Sequence, residues 1–183
     1  LHKALRGSDP QASLYYMARM LTAGEEPLYV LRRLVRMASE DIGLADPQAL
    51  VICNAAKEAF DFLGSPEGEL AIAQAVIYLA TAPKSNAAYV AFGAASRAAN
   101  EGGSLSPPKH ILNAPTKLMK QEGYGKDYAY DHNEDEAFSG QNYFPDGMAR
   151  QSFYAPTPYG FEAELKARLD RFAALRAKKG NKP

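Results

Sequence analysis

The 183-residue chain is 46% hydrophobic and 23% charged, a balance typical of a soluble globular protein, which excludes disorder throughout the chain. A chain of this length can bury on the order of 70% of its unfolded surface in one domain. Its 21 basic and 21 acidic residues cancel, so the whole chain lacks the positive field with which DNA-binding proteins neutralise phosphates. Any contact with nucleic acid is therefore expected to be local.

Five helices are predicted in the first 100 residues, because capped prolines and terminal glycines recur between apolar stretches of helical periodicity. They run from Asp9-Pro10 to Gly24, from Pro27 to Gly43, from Pro47 to Leu63, from Ser65-Pro66 to Ala82, and from Ser85 or Asn86 to about Asn100. Short connections force such helices to pack side by side. The predicted fold class is all-α, an antiparallel helical bundle or array.

Each predicted helix carries an apolar face at helical spacing. The residues expected to face inward are Leu14, Met17, Ala18 and Leu21, then Leu31, Leu34, Val35 and Ala38, then Val51, Ala55, Ala59 and Phe62, and finally Leu70, Ala73, Val76, Ile77 and Ala80. The fifth helix has Tyr89, Val90 and Phe92 among many alanines. The fourth and fifth helices together carry more apolar surface than one small bundle requires.

A long, mostly irregular segment begins at Glu101, and only Pro115 to Gln121 is predicted to be helical within it, with Asn113 as the cap. The segment is rich in aromatic residues, which favours wrapping over the helices, with a functional loop as the alternative. The last helix is expected to start at Thr157-Pro158 and to end in a basic tail, Lys178, Lys179 and Lys182. Such a tail serves the helix dipole or contacts DNA.

The patterns of catalytic and metal sites are missing from the sequence. Gly123-Tyr-Gly-Lys126 is followed by Asp127 where a phosphate-binding loop has Ser or Thr. Residues 131–136 are acidic but lack the spacing of a calcium loop, which indicates a solvated loop. Glu40, Asp41 and Asp46 are expected to cap helices and to pair with Arg32, Arg33 or Arg36.

The run of weakly polar residues 70–82 is interrupted by Gln74 and is shorter than the ~20 residues that cross a bilayer, so no membrane partner is expected. The single cysteine, Cys53, cannot form an internal disulfide and is predicted to be a small core residue. The N-terminus has neither an initiator methionine nor a signal-peptide pattern. The sequence is therefore interpreted as a piece of a longer protein.

Six short stretches of the sequence occur together in one protein family. They are residues 7–10 (Gly-Ser-Asp-Pro), 32–47, 64–70 (Gly-Ser-Pro-Glu-Gly-Glu-Leu), 82–86 (Ala-Pro-Lys-Ser-Asn), 113–120 (Asn-Ala-Pro-Thr-Lys-Leu-Met-Lys) and 123–126 (Gly-Tyr-Gly-Lys). In this order they resemble the C-terminal region of the replication-associated recombination protein A family, also called maintenance-of-genome-stability ATPases, which are AAA+ relatives of clamp loaders. The resemblance covers residues 1–159.

The resemblance implies a division into residues 1–23, the tail of the AAA+ helical lid, and residues 24–183, a C-terminal domain that assembles family members into tetramers. It also implies that the ATP and Mg sites lie in an upstream module, so that this chain holds no cofactor and no catalytic residue. The implied partners are further copies of the chain, the upstream AAA+ module, single-stranded DNA and the single-strand-binding protein. The implied setting is the cytoplasm, at the nucleoid, in replication-fork maintenance, recombination and DNA repair.

Seven basic residues are the candidate contacts for a subunit interface or for DNA. They are Arg32, Arg33, Arg36, Lys117, Lys120, Lys178 and Lys179. The alternative function is a small helical enzyme with an unrecognised active site. The lack of a nucleophile-base pair or metal-ligand pattern in the sequence weighs against that alternative.

Overall fold

The computed structural model describes residues 1–180, and Lys182 of the predicted basic tail lies outside them. Within these residues the chain forms helices and no strands. The helices are α1 (His2–Arg6), α2 (Pro10–Thr22), α3 (Pro27–Met37), α4 (Gln48–Leu63), α5 (Glu69–Thr81), α6 (Ala87–Glu101), α7 (Lys117–Gln121) and α8 (Glu162–Gly180). The predicted all-α fold, with a long irregular segment and a C-terminal helix, is confirmed.

The chain divides into two compact units. The first unit comprises Leu1–Gly93 and Tyr154–Lys166, and the second comprises Ala94–Phe153 and the described residues from Ala167 to Gly180. Leu5 of α1 and Met17 of α2 belong to the hydrophobic core of the first unit. The boundary expected at residue 23, between a lid tail and a C-terminal domain, stays a prediction.

Helix α5 lies at the centre of the first unit, where it contacts α1, α2, α3 and α4. A helix that is apolar on most of its circumference is stable only when neighbours cover it. Five of its residues are buried: Ile72, Ala75, Val76, Leu79 and Ala80. Cys53 of α4 is fully buried as predicted, and burial raises the pKa of its thiol to about 12, which makes it an unreactive core residue.

The inward faces predicted for α4 and α5 are partly wrong. Phe62 of α4 is 89% exposed and Leu70 of α5 is 76% exposed, and Val51 and Ile77 are exposed as well. Helix α4 instead turns its small residues toward the core, with Ala49, Cys53 and Ala56 buried. Both helices carry apolar residues on more than one face, and small residues allow α4 to approach α5 closely.

Three helix starts differ from the sequence prediction. Helix α5 begins at Glu69, because residues 65–68 form turns in which the Gly68 amide donates to the Gly64 carbonyl. Helix α7 is capped by Thr116, whose Oγ1 accepts from the Met119 amide at 3.2 Å, and not by Asn113. Helix α8 begins at Glu162, several residues after Thr157-Pro158. Two predicted caps are confirmed: Asp9 accepts from the Ala12 amide and Ser85 from the Ala87 amide.

The loop of residues 82–86 joins several parts of the first unit. The Lys84 Nζ donates to the carbonyls of Ala80 (3.1 Å) and Ala82 (2.6 Å), at the C-terminal end of α5. The Ser85 amide donates to the Asp41 carbonyl at 2.8 Å. Lysine near the last carbonyls of a helix satisfies groups that lack intrahelical donors. The Ala-Pro-Lys-Ser-Asn run therefore ends one helix and starts the next.

Within the first unit, the segment of residues 154–162 is held against residues 1–93 by contacts of Gly160, Phe161 and Glu162. The Phe161 amide donates to the Ala45 carbonyl at 2.8 Å. Gly160 has a φ of +53°, and a Cβ built on it would lie 2.1 Å from the Ala45 oxygen and 2.8 Å from Pro83 Cγ. Since real Cβ atoms do not approach this closely, only glycine fits at this position.

Glu162 is a fully buried carboxylate with four hydrogen-bond donors around it. Its Oε2 accepts from the Thr157 amide (2.8 Å), Thr157 Oγ1 (2.7 Å) and Ser85 Oγ (2.7 Å), and its Oε1 accepts from the Tyr154 hydroxyl (2.9 Å). Burial acts to raise the pKa of Glu162, but these hydrogen bonds outweigh it and hold the pKa below its ordinary value. Burial and the bond to Glu162 raise the pKa of Tyr154 to about 12.

Candidate interaction surfaces

The α3 arginines lie on the surface of the first unit. Arg32 and Arg36 are exposed and Arg33 is half-buried, because the opposite side of the helix is filled by Leu31, Leu34 and Met37 of the core. Arg36 donates to Glu40 at 2.5 Å one turn later, as predicted, and this hydrogen bond lowers the pKa of the Glu40 carboxylate. Arg32 and Arg33 make no ion pair within residues 1–180 and stay available for a partner.

Asp41 and Asp46 do not pair with the arginines of α3, so this part of the prediction is wrong. Asp41 accepts two hydrogen bonds from Arg6 of α1, at 2.7 Å from Nε and 3.2 Å from Nη2. One carboxylate oxygen of Asp46 accepts from the amide of Gln48, the first residue of α4, at 3.1 Å, and the other accepts from the Tyr78 hydroxyl at 2.7 Å. Arg6 and Tyr78 are 35 and 32 positions away in the sequence, so local spacing did not indicate them.

The four candidate lysines belong to the second unit. Lys117 and Lys120 on α7 and Lys178 on α8 are exposed, while Lys179 on α8 is half-buried. The candidate residues are thus divided between the two units, with the three arginines in the first and the four lysines in the second. The structure does not group all seven residues within one unit.

The acidic loop of residues 131–136 pairs with α8 inside the second unit. Glu134 accepts from Lys179 Nζ at 3.0 Å, and Glu136 accepts from Arg171 at 2.9 Å. The hydrogen bond from Arg171 lowers the pKa of Glu136. Phe138 stacks on Phe172 of α8, with ring centroids 5.5 Å apart. The loop is therefore exposed as predicted, but it also neutralises part of the basic end of α8.

Two helix faces of the first unit present large apolar side chains to solvent. On the outer face of α5, Leu70 is 76% exposed and Ile77 is 44% exposed. On the outer face of α6, Tyr89, Val90 and Phe92 are 54%, 53% and 75% exposed. Clustered exposed apolar residues, unlike single ones, mark surfaces that bind other proteins. Sequence reasoning predicted the apolar excess of these helices but placed Leu70 and Ile77 in the core.

The structure defines a helical domain whose exposed features are apolar helix faces and lysine or arginine side chains. Within residues 1–180, no group of side chains is suited to hold a metal ion. In the same range no helix combines the length and apolar character of a membrane span.

The chain belongs to the family described as "MgsA AAA+ ATPase C terminal", whose profile matches residues 7–173. It is 53% identical to Replication-associated recombination protein A of Coxiella burnetii over 176 residues, which are 96% of this chain and 40% of that protein. It is 51% identical over 170 residues to the Escherichia coli K12 protein of the same name (92% of this chain, 38% of that protein).

A eukaryotic relative has a similar match. ATPase WRNIP1 of Dictyostelium discoideum is 46% identical over 155 residues, covering 84% of this chain and 18% of that protein. The chain spans about two fifths of the length of the bacterial relatives. It corresponds to the C-terminal helical part of the AAA+ ATPases that the family description names.

Proposed function

We propose that this domain assembles its AAA+ ATPase into a homotetramer and holds the ATPase modules close together on DNA during replication-fork maintenance, recombination and DNA repair. Joining modules in one assembly raises their effective local concentration without any new contact to DNA. In this proposal the upstream module binds ATP and Mg, and the domain sets the spacing of the ATPase modules. Single-stranded DNA and the single-strand-binding protein are the proposed further partners.

The observation that carries the proposal is the outer face of α6. Within this helix only Ala87 is buried, and its first turns expose an aromatic and β-branched surface. Each large apolar side chain gains about 1.5–3 kcal/mol when it is fully buried. Aromatic residues are enriched in the buried centres of protein interfaces. Tyr89 and Phe92 are one helical turn apart, so a single partner surface can cover both.

A second copy of the chain is the proposed occupant of this face. Homo-oligomers close into point-group symmetries, and a tetramer of two-fold axes uses two self-complementary surfaces per subunit. The outer faces of α5 and α6 provide two such surfaces on the first unit. Arg32 and Arg33 are proposed to lie at the polar rim of one of these contacts.

The proposal is tested with the double variant Tyr89→Ala/Phe92→Ala in sedimentation velocity. The wild-type chain is expected to sediment as a tetramer and the double variant as a smaller species, because the centre of one contact is removed. The matched control is Phe62→Ala, a phenylalanine on α4 that is even more exposed than Phe92, and this variant should leave the tetramer intact. A tetramer that survives the double variant would remove α6 from the interface.

A further inference from the structure

The second unit contains an open groove with a volume of about 740 Å³. The polar and aromatic side chains that line it are His110, Asn113, Tyr128, Asp131 and Tyr143. Two of the sequence runs that mark the family, residues 113–120 and 123–126, reach the groove through Asn113 and Gly125. Neither run takes part in the core or in the apolar helix faces, so their role is not explained by assembly.

The loop that carries both runs is closed at its base. The Gly125 amide donates to the Lys109 carbonyl at 2.9 Å, and Lys109 Nζ donates to the Glu122 carbonyl at 2.9 Å. A Cβ on Gly125, whose φ is +70°, would lie 3.4 Å from the Leu112 oxygen. These contacts fix the groove wall to the loop that bears α7 and its lysines.

Aromatic rings form the sides of the groove. Tyr128 is 48% exposed and Tyr143 is 42% exposed. The rings of His110 and Tyr143 have centroids 6.0 Å apart and planes inclined by 40°. Exposed aromatic faces are platforms on which unpaired bases stack without regard to sequence.

The polar groups of the groove suit the edge of a base better than a phosphate. His110 Nε2 is buried and has no hydrogen-bond partner among the described residues. Asp131 accepts from the Ser139 amide at 2.6 Å and from the Tyr143 hydroxyl at 3.4 Å. These hydrogen bonds, led by that of the Ser139 amide, lower the pKa of Asp131. An ionised carboxylate inside the groove repels phosphate but accepts from the N–H groups of a base.

Positive charge is concentrated in the stretch of chain that supplies His110, Asn113 and Gly125 to the groove, although the whole chain is neutral. Residues 109–126 contain four lysines, Lys109, Lys117, Lys120 and Lys126, against one acidic residue, Glu122. Lys117 and Lys120 are exposed on α7 and make no ion pair within residues 1–180. Proteins that bind single strands combine lysine or arginine side chains with aromatic rings, and this segment supplies both.

We propose that the groove of His110, Tyr128 and Tyr143 binds an unstacked base of a single-stranded nucleic acid, while the α7 lysines contact its phosphates. The inference rests on the proposed role of the domain on DNA, to which it adds the place of contact. It differs from assembly in location, because the groove lies in the second unit and the apolar faces lie in the first.

The test is fluorescence anisotropy of a short labelled oligothymidylate with the 183-residue chain at low salt. Tyr128→Ala is expected to weaken binding about tenfold, since one base–aromatic stack is lost. Tyr128→Phe should bind like the wild type because it keeps the ring. Tyr159→Ala is the control, since Tyr159 is 60% exposed and lies in the first unit. Lys117→Ala and Lys120→Ala should each reduce the salt slope by about one.

An oligonucleotide with abasic sites separates base binding from phosphate binding. It is expected to bind more weakly than the intact strand and to show no loss with Tyr128→Ala. Three results would overturn the inference: no saturable binding at low salt, equal affinity of the Tyr128→Ala and wild-type chains, or displacement of the strand by polyglutamate with no dependence on Tyr128. Any of these results combined with a tetrameric chain would leave the assembly proposal standing.

Discussion

The two units of the domain are stabilised in different ways. The first has a continuous core around α5, and its loops are fixed by the close backbone approach at Gly160 and by the buried side chains of Ser85 and Glu162. In the second, the irregular segment is held by exposed ion pairs, ring contacts and side-chain hydrogen bonds to loop backbone. Buried contacts tolerate little change, whereas exposed ion pairs contribute little stability. We therefore expect substitutions at the fixed points of the first unit to cost more stability than substitutions of the ion pairs in the second.

Among substitutions that compare the two units, Gly160→Ala is expected to cause the largest loss of stability. The new Cβ would overlap the Ala45 oxygen in the first unit, so the loss in the free energy of unfolding should exceed about 3 kcal/mol. Chemical denaturation at neutral pH measures it. The matched control is Gly147→Ala in the second unit, where φ is +84° but no atom lies within 4 Å of the built Cβ. Only the backbone cost of about 1–2 kcal/mol is expected there.

Glu162→Gln should destabilise the first unit by about 1–3 kcal/mol, because a buried acceptor of four hydrogen bonds loses its charge and one of its oxygens. Tyr154→Phe is the milder control, since it removes one of the four donors and leaves the carboxylate in place. Equal stability of Glu162→Gln and the wild type would show that the carboxylate is not a fastening point.

The same carboxylate predicts a pH dependence. The folded-state pKa of Glu162 is below its ordinary value, so its stabilising contribution is present above the unfolded pKa of about 4.3 and is lost as pH falls through the folded pKa. The difference in unfolding free energy between the wild type and Glu162→Gln should therefore be constant from pH 7 to about pH 5 and shrink below that. A difference that persists unchanged at the lowest pH would contradict the assignment.

A smaller effect is expected from Glu134→Gln and Glu136→Gln in the second unit. Each removes an exposed ion pair to α8, so the global unfolding transition should hardly move, while amide exchange near Lys179 should become faster at low salt. Added salt should erase the difference, because it screens exposed pairs. Asp135→Asn is the control within the same loop. A loss of global stability equal to that of Glu162→Gln would mean that the two units are not built differently.

The last prediction is that ATP does not bind to this chain. The sequence has no Walker motif, and calorimetry with ATP and magnesium should give no heat of binding to this chain. Saturable micromolar binding would contradict the proposal that nucleotide chemistry belongs to the upstream module.

The structural features that were predicted correctly from the sequence are those that depend on neighbouring residues. The caps at Asp9 and Ser85, the buried stripe of α3 and the Arg36–Glu40 pair all lie within one helical turn or its flanks, and local spacing specifies such features. The core-facing sides of α4 and α5 could not be predicted from local spacing, because apolar residues occur around most of the circumference of each helix.

Features that join distant residues could not be predicted. Glu162 reads in the sequence as an ordinary acidic residue at a helix start, whereas its partner Ser85 is 77 positions away. In the sequence, Lys179 belongs to a basic tail with no acidic neighbour. In the structure it donates to Glu134, which lies 45 positions earlier. The chemical type of the candidate interaction residues was predictable from the sequence, but their pairing was not. Arg32 and Arg33 make no ion pair within the described residues, whereas Arg36 and Lys179 are paired.

The central claim, that this domain assembles the ATPase, is tested most directly by the solution mass of the chain. Light scattering on a sizing column should give a mass of about 80 kDa, four times the 19.9 kDa of one chain, as expected of a closed symmetric tetramer. A monomer of 19.9 kDa whose mass does not change with concentration would contradict the claim. The outer faces of α5 and α6 would then be docking surfaces for the upstream module or for another protein.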